Sequence, residues 1–197
     1  MFIDGNVKKV WFTADTHFGH KNVIKYCNRP YETVNQMNNA LIENWNNSVE
    51  PEDVVFHLGD FAFLQDSTEI INALNGKIYL IPGNHDKQIV GQSNNVFNPP
   101  DGLTTKFRIM EPLLDVDIQV EDEKLRLVLC HYAMRVWNKS HYGAIHLYGH
   151  SHGTLPDDPN SLSMDVGVDC HNYSPISLDD VLLKMYNKTF KPKDHHK

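Results

Sequence analysis

The sequence predicts an α/β fold, on three observations. From Lys8 to Ile81, apolar runs alternate with helix-type segments, the pattern of parallel βαβ units. From Leu114 the period changes to strict apolar–polar alternation, and a polar turn at 121–124 leads into a second apolar run, which reads as a β-hairpin. Ligand-type polar residues stand just past the strand ends, where open α/β sheets hold their ligands. A chain of 197 residues suits one such domain, expected over 1–190, with 191–197 a polar C-terminal tail.

Each element has a local reason. Lys8–Ala14 reads as a buried first strand that runs into Asp15-Thr-His17. A short helix over about 20–27 stops before Arg29-Pro30. A longer one over about 33–47 places Val34, Met37, Leu41 and Trp45 on a single face. Pro51 closes the connection, and Asp53–Leu58 is the second strand, ending in Gly59-Asp60. Residues 65–74 read as a helix with Asn75-Gly76 at its C-cap. The third strand, Lys77–Ile81, breaks at Pro82-Gly83, which cannot continue a central strand, and presents Asn84, His85 and Asp86 in a row. Residues 90–102, rich in Asn, Pro and Gly, read as irregular loop. The hairpin strands are 114–120 and 125–130, followed by short strands at 144–148 and 164–168. Ser177-Leu-Asp-Asp180 is a capping box, with Asp in place of Glu, that starts a helix to about Tyr186.

Composition narrows the function. The net charge of −7 argues against stable binding of duplex nucleic acid, which takes a basic stripe, but permits a small phosphorylated ligand held through metal. Cys27, Cys130 and Cys170 form no CxxC pair and read as reduced thiols of a cytoplasmic protein. There is no signal-type leader and no 18-residue apolar segment, so no membrane partner is expected.

Histidine is the outlier, with twelve copies. Five strand ends carry metal-ligand types: Asp15 and His17; Asp60; Asn84 and His85; His131; His150 and His152. In an extended strand, residues i and i+2 point to the same side, so Asp-x-His and His-x-His can each reach one site. Singly, each histidine is an ordinary loop residue; together they point to metal. Imidazoles, carboxylates and one amide oxygen suit Mn²⁺, Fe²⁺, Ni²⁺ or Zn²⁺ rather than an all-oxygen Ca²⁺ site. His57, His146 and His171 read as satisfied core histidines. Arg29 and Arg135 are candidate phosphate contacts, with a surface position as the default.

The motifs Asp15-x-His17, Gly59-Asp60, Gly83-Asn84-His85-Asp86, His131 and Gly149-His150-x-His152 resemble, in order, the five motifs of the calcineurin-like metallophosphoesterase superfamily. Phe18-Gly-His20, Asn28-Arg-Pro30, His131-Tyr132 and Trp137 are similar to a small bacterial and phage branch of it. The resemblance implies two packed mixed β-sheets flanked by helices, a four-layer sandwich. It implies two divalent metal ions, Mn²⁺ first and Fe, Ni or Zn as alternatives. Asp15, His17, Asp60 and His152 would hold one ion. Asp60, Asn84, His131 and His150 would hold the other, with Asp60 bridging and His85 as the non-ligand catalytic residue.

The implied reaction is hydrolysis of a phosphodiester on a small or nucleotide-type substrate, by attack of a metal-bridging hydroxide while His85 neutralises the leaving oxygen. The alternatives are a phosphomonoesterase of the same fold and a non-catalytic scaffold that binds a protein partner. Protein Ser/Thr phosphatases of the superfamily carry an Asp that orients the catalytic His, and an Arg that grips phosphate, three and four residues after the Gly-Asp. Here those positions are Phe63 and Leu64, which argues against a protein phosphatase. The group that orients His85 is then open, with Asp86 and Asp66 as candidates. Asp86 has N-capping of the following segment as its competing role. His20 is expected to brace its loop or touch substrate. With no evident cap domain, specificity is expected from loops at about 18–32, 91–105 and 132–143.

Overall fold

The computed structural model describes residues 1–3, 9–92, 106–120 and 123–193. Two five-stranded mixed sheets form the centre. The first holds β1 (Phe2–Ile3), β6 (Leu113–Val120), β7 (Glu123–Cys130), β8 (Ile145–Tyr148) and β9 (Ser163–Asp165), in the order β1-β6-β7-β8-β9. Its antiparallel pair is the β6–β7 hairpin, with Leu113 opposite Cys130 and Val120 opposite Glu123. The second sheet runs β10-β2-β3-β4-β5, from β2 (Val10–Thr13), β3 (Val54–His57), β4 (Lys77–Leu80), β5 (Phe107–Ile109) and β10 (Ile176–Ser177). There β2 to β5 are parallel, and β10 adds antiparallel to β2.

The two sheets face each other across the main core. Phe12 and Phe56 of one meet Val116, Ile118, Leu127 and Leu147 of the other. The outer face of the second sheet is covered by α1 (Lys21–Tyr26), α2 (Val34–Ser48) and α3 (Thr68–Ala73). A parallel sheet covered on both sides has no polar face, and β3 accordingly reads Val-Val-Phe-His with all four residues buried. Helix α2 starts where the Thr33 side chain accepts the Gln36 N–H. It buries Met37, Leu41 and Trp45 against Val55, Ile78 and Phe107. Burial of Met37 and Leu41 contributes about 1.5–3 kcal/mol each. Helix α5 (Leu178–Tyr186) closes the inter-sheet core with Val181 and Met185. At its start Ser177 Oγ accepts the Asp180 N–H and donates to the Asp180 carboxylate.

Several elements depart from the sequence expectation. Strands β1, β5 and β10 span two or three residues, too few for a period to register. Residues 87–92 form a helix, α4 (Lys87–Gln92), where irregular loop was expected from residue 90; 93–105 lie outside the described residues. Strand β9 ends at Asp165, two residues after Ser163, because the Asp165 carboxylate turns to accept the N–H groups of Gly153 and Gly167. Residues 65–67 stay outside α3, where Asp66 accepts the Thr68 N–H. The tail is docked as far as Lys193, which pairs with Asp158, while His195 and His196 lie outside the described residues.

Candidate metal centre

The ligand-type side chains sit on turns that leave the strand ends of both sheets. Asp15 and His17 follow β2, Asp60 follows β3, and Asn84 and His85 follow β4; His131 follows β7, and His150 and His152 follow β8. The turns are not extended. Asp15, His17, Asp60, His150 and His152 all have left-handed backbone, with φ of 58°, 52°, 57°, 68° and 47°. Such a conformation costs on the order of 1–3 kcal/mol at a non-glycine residue. This corrects the logic of i and i+2 on one strand face. His150 and His152 part to different groups, and convergence comes from left-handed turns. Glycines let the turns approach each other. A Cβ on Gly83 would lie 2.3 Å from Asp60 Oδ1, and one on Gly149 would lie 2.7 Å from Asp15 Oδ2.

Two groups of donors result. Asp15, His17 and His152 form the first, and Asp60, His131 and His150 the second, each with its donor atoms within 4.8 Å of one another. Asp60 lies between them. Its Oδ2 is 3.7 Å from His17 Nε2 and 3.5 Å from His131 Nε2. Its other oxygen accepts the His85 N–H at 2.9 Å. Two ligands sharing one cation at bonds of about 2.1 Å stand roughly 3–3.6 Å apart. Asn84 extends the second group, with Oδ1 3.2 Å from His131 Nε2 and 3.3 Å from the Tyr132 hydroxyl that donates to it.

Neighbouring groups aim these ligands. His131 Nδ1 donates to the Leu58 carbonyl at 2.7 Å, which turns Nε2 to the centre. His152 Nδ1 meets Asp169 Oδ2 at 2.6 Å, and Asp169 is held by both ends of the Arg29 guanidinium at 2.8 Å. Arg29 also donates to the carbonyls of Asp15 and Thr16. It is 4% exposed, so its expected surface position is wrong: it ties the first ligand turn to His152. Cys27, given no role by the sequence, has its sulfur within 4.8 Å of donor atoms of His152 and Asp169. The buried Asp86 accepts the N–H groups of Asp60, Phe61 and Gly83 at 2.7, 2.8 and 2.7 Å. Its carboxylate clamps two ligand turns together instead of reaching the His85 imidazole, and Asp66 is spent on α3. Arg135 is exposed, in a cleft with Trp137, Ser140 and Ser161, and among the described residues no hydrogen bond or ion pair joins it to either donor group. His20 stacks on Phe63 with ring centroids 3.9 Å apart. Of the three histidines expected as satisfied core residues, His146 is buried and meets the Val128 carbonyl. His57 is buried and meets the Thr16 hydroxyl through Nε2, but its Nδ1 has no hydrogen-bond partner among the described residues. His171 is half-buried and meets the Asp165 carbonyl.

The electrostatics fit a cation. Asp15 Oδ1 and both ring nitrogens of His17 are buried without a hydrogen-bond partner. Burial lifts the Asp15 carboxyl to about 7 and pushes His17 down to about 2, leaving a neutral imidazole. For Asp60, burial acts upward, but the hydrogen bond and charge of His131 bring it down to about 2. For His152, burial acts downward, and the hydrogen bonds of Asp169 and Cys27 together with the charge of Asp15 outweigh it and raise the ring to about 10. A divalent cation on these atoms would hold Asp15 ionised and drive the proton from His152. Orphaned buried donors that converge on one point are the arrangement a metal satisfies.

The model of the calcineurin-like phosphoesterase superfamily domain matches residues 9–163, which include both donor groups. The chain belongs to the calcineurin-like phosphoesterase superfamily. An uncharacterized protein of Methanocaldococcus jannaschii, MJ1445, is 33% identical to this phosphoesterase over 192 residues, covering 93% of this chain and 94% of that protein. The gene 66 protein of Mycobacterium phage D29 is 27% identical over 195 residues, covering 86% of this chain and 93% of that protein. The solved structure of a protein of unknown function from Aquifex aeolicus, AQ665, superposes with a TM-score of 0.61 at 20% identity, covering 89% of this chain and 98% of that one. That likeness concerns the fold, the same two-sheet sandwich.

Proposed function

We propose that the chain is a dinuclear metal-dependent phosphodiesterase acting on a small or nucleotide-type substrate. The observation that carries the reading is Asp60 Oδ2, poised between His17 and His131 so that one carboxylate serves both donor groups. Asp15, His17, Asp60 and His152 would hold one cation, and Asp60, Asn84, His131 and His150 the other. The donor chemistry favours Mn²⁺, with Fe²⁺, Ni²⁺ or Zn²⁺ as alternatives. Two divalent ions, when bound, supply charge to clamp a phosphate and acidify a water.

The chain's own residues supply the rest. His85 is exposed beside His17, with ring centroids 5.9 Å apart, and its imidazole can give a proton to the departing oxygen. Its main chain is fixed by the bond to Asp60. Preference for a diester rests on charge. A monoester dianion needs a further cation on its terminal oxygens, and the arginine at the centre, Arg29, is spent on Asp169 and two carbonyls. Tyr132 packs on His150, leaving an organic wall for one side of a diester. The acidic balance of the chain, −7, disfavours duplex nucleic acid as partner.

The test is a substrate panel with Mn²⁺ present: bis-p-nitrophenyl phosphate, p-nitrophenyl phosphate, 2′,3′- and 3′,5′-cyclic nucleotides, and single-stranded oligonucleotides. Diesters should turn over faster than the monoester. On diesters with an alkoxide leaving group, replacement of His85 by Asn should lower turnover by ~10²–10⁴ with metal content retained. A chain that takes up no stoichiometric metal when Mn²⁺ is offered would refute the proposal.

A further inference from the structure

His85 lacks the partner expected of a catalytic histidine. Its imidazole has no hydrogen bond among the described residues; its one recorded bond runs from its backbone N–H to Asp60. What it does have is a ring. Phe63 packs against it with centroids 4.7 Å apart at 39°, and His20 stacks on Phe63 at 3.9 Å and 12°. His17 lies 5.4 Å from Phe63 as well. Phe63 is itself placed firmly. Its N–H donates to the Phe18 carbonyl at 2.8 Å, next to the bridge of Phe18 with Ala62. The residue is nevertheless 36% exposed, so it is not a core residue.

We propose that Phe63 is the positioning residue of His85, holding the imidazole by ring packing where a carboxylate would hold it by hydrogen bond. A ring face restricts the tilt of a neighbouring imidazole and leaves both its nitrogens free for substrate and solvent. His20, stacked on Phe63, extends the ring cluster. The inference rests on the reading of His85 as the group that serves the leaving oxygen.

The experiment compares two leaving groups. Bis-p-nitrophenyl phosphate expels p-nitrophenoxide, which needs little proton assistance, and a thymidine dinucleotide expels a nucleoside alkoxide, which needs it. In the Mn²⁺-loaded protein, Phe63→Ala should lower kcat on the dinucleotide by ~10–100-fold, the scale of an ångström-level misplacement, with KM and metal content near wild type. On the aryl diester the loss should stay within about 3-fold, since proton transfer contributes little there. Phe63→Tyr, which keeps the ring, should restore most of kcat, and Phe63→Leu should not. In a His85→Asn background, Phe63→Ala should add nothing on the dinucleotide. Equal losses on both substrates, or additive losses in the double variant, would overturn the inference while leaving His85 in place. A His85→Asn variant equally impaired on both substrates would overturn the leaving-group reading and this inference with it.

Discussion

The two donor groups are made of the same residue types and are braced in different ways. The first is buried and buttressed. Asp15 and His17 are 0% and 3% exposed, and behind His152 stands a chain of carboxylate and guanidinium through Asp169 to Arg29. The second opens outward. Asp60 and His131 are buried, but His150 is exposed, Asn84 is half-buried, and the outer support is the phenol of Tyr132. Burial with charged support makes a site rigid and slow to exchange; an exposed imidazole and a ligand amide held by one neutral hydrogen bond make one that loads and unloads more readily. On the proposed dinuclear reading, the contrast predicts a tighter cation at the first group and a more readily exchanged one at the second.

The largest effect should come from the residue the groups share. Asp60→Asn removes the carboxylate between His17 and His131, and Mn²⁺ affinity at both groups should fall more than ~100-fold, beyond the 10–100-fold typical of outer-shell loss. Titration calorimetry that still finds two tight ions would show that Asp60 does not bridge. Next comes Asp169→Asn, which should weaken the first group alone, by ~10–100-fold. It also leaves the buried Arg29 without its partner, so urea unfolding should register a loss of about 3–5 kcal/mol. Equal weakening of both groups would break the contrast. Smaller still is Tyr132→Phe, which deletes one neutral hydrogen bond to Asn84 and should weaken the second group ~2–10-fold. A change confined to the first group would reverse the assignment.

The subtlest test separates histidines that bind from one that only packs. Burial takes His57 down to about 3, from an ordinary 6.5. Between those values the unfolded chain carries the proton and the folded chain does not. The contribution is therefore fully present above pH 6.5 and is lost as the pH falls toward 3. His57→Phe should flatten the acid limb of a urea-midpoint profile by about one proton without altering Mn²⁺ affinity. An unchanged limb would mean that His57 is protonated in the folded state.

The sequence made the parallel half of the fold legible because βαβ units announce themselves by alternation, and Met37, Leu41 and Trp45 fall on the buried face their spacing requires. The packing of one sheet on the other did not come from periodicity. It came with the family resemblance, because the core that gathers Phe12 of one sheet and Leu147 of the other joins residues far apart in the chain and leaves no local mark. At the centre, ligand-type residues could be read from their strand-end motifs. The groups that aim them could not: Asp169 lies in an unremarkable Gly-Val-Asp-Cys, and Arg29 looks like any loop arginine until its bond across 140 residues is seen. Asp86 misled for a related reason. A carboxylate beside a catalytic histidine suggests its orienter, whereas three nearby backbone N–H groups claim it first.

Stability and activity pull in opposite directions at Asp15, His17, Asp60, His150 and His152. Their left-handed backbone is a conformation that glycine adopts without strain. A glycine at any of the five would relax the chain and delete a donor in the same step. Random drift in a lineage that no longer needed the chemistry would therefore run downhill, each lost ligand leaving a more comfortable turn, whereas regaining the centre would mean climbing back against the backbone at every position.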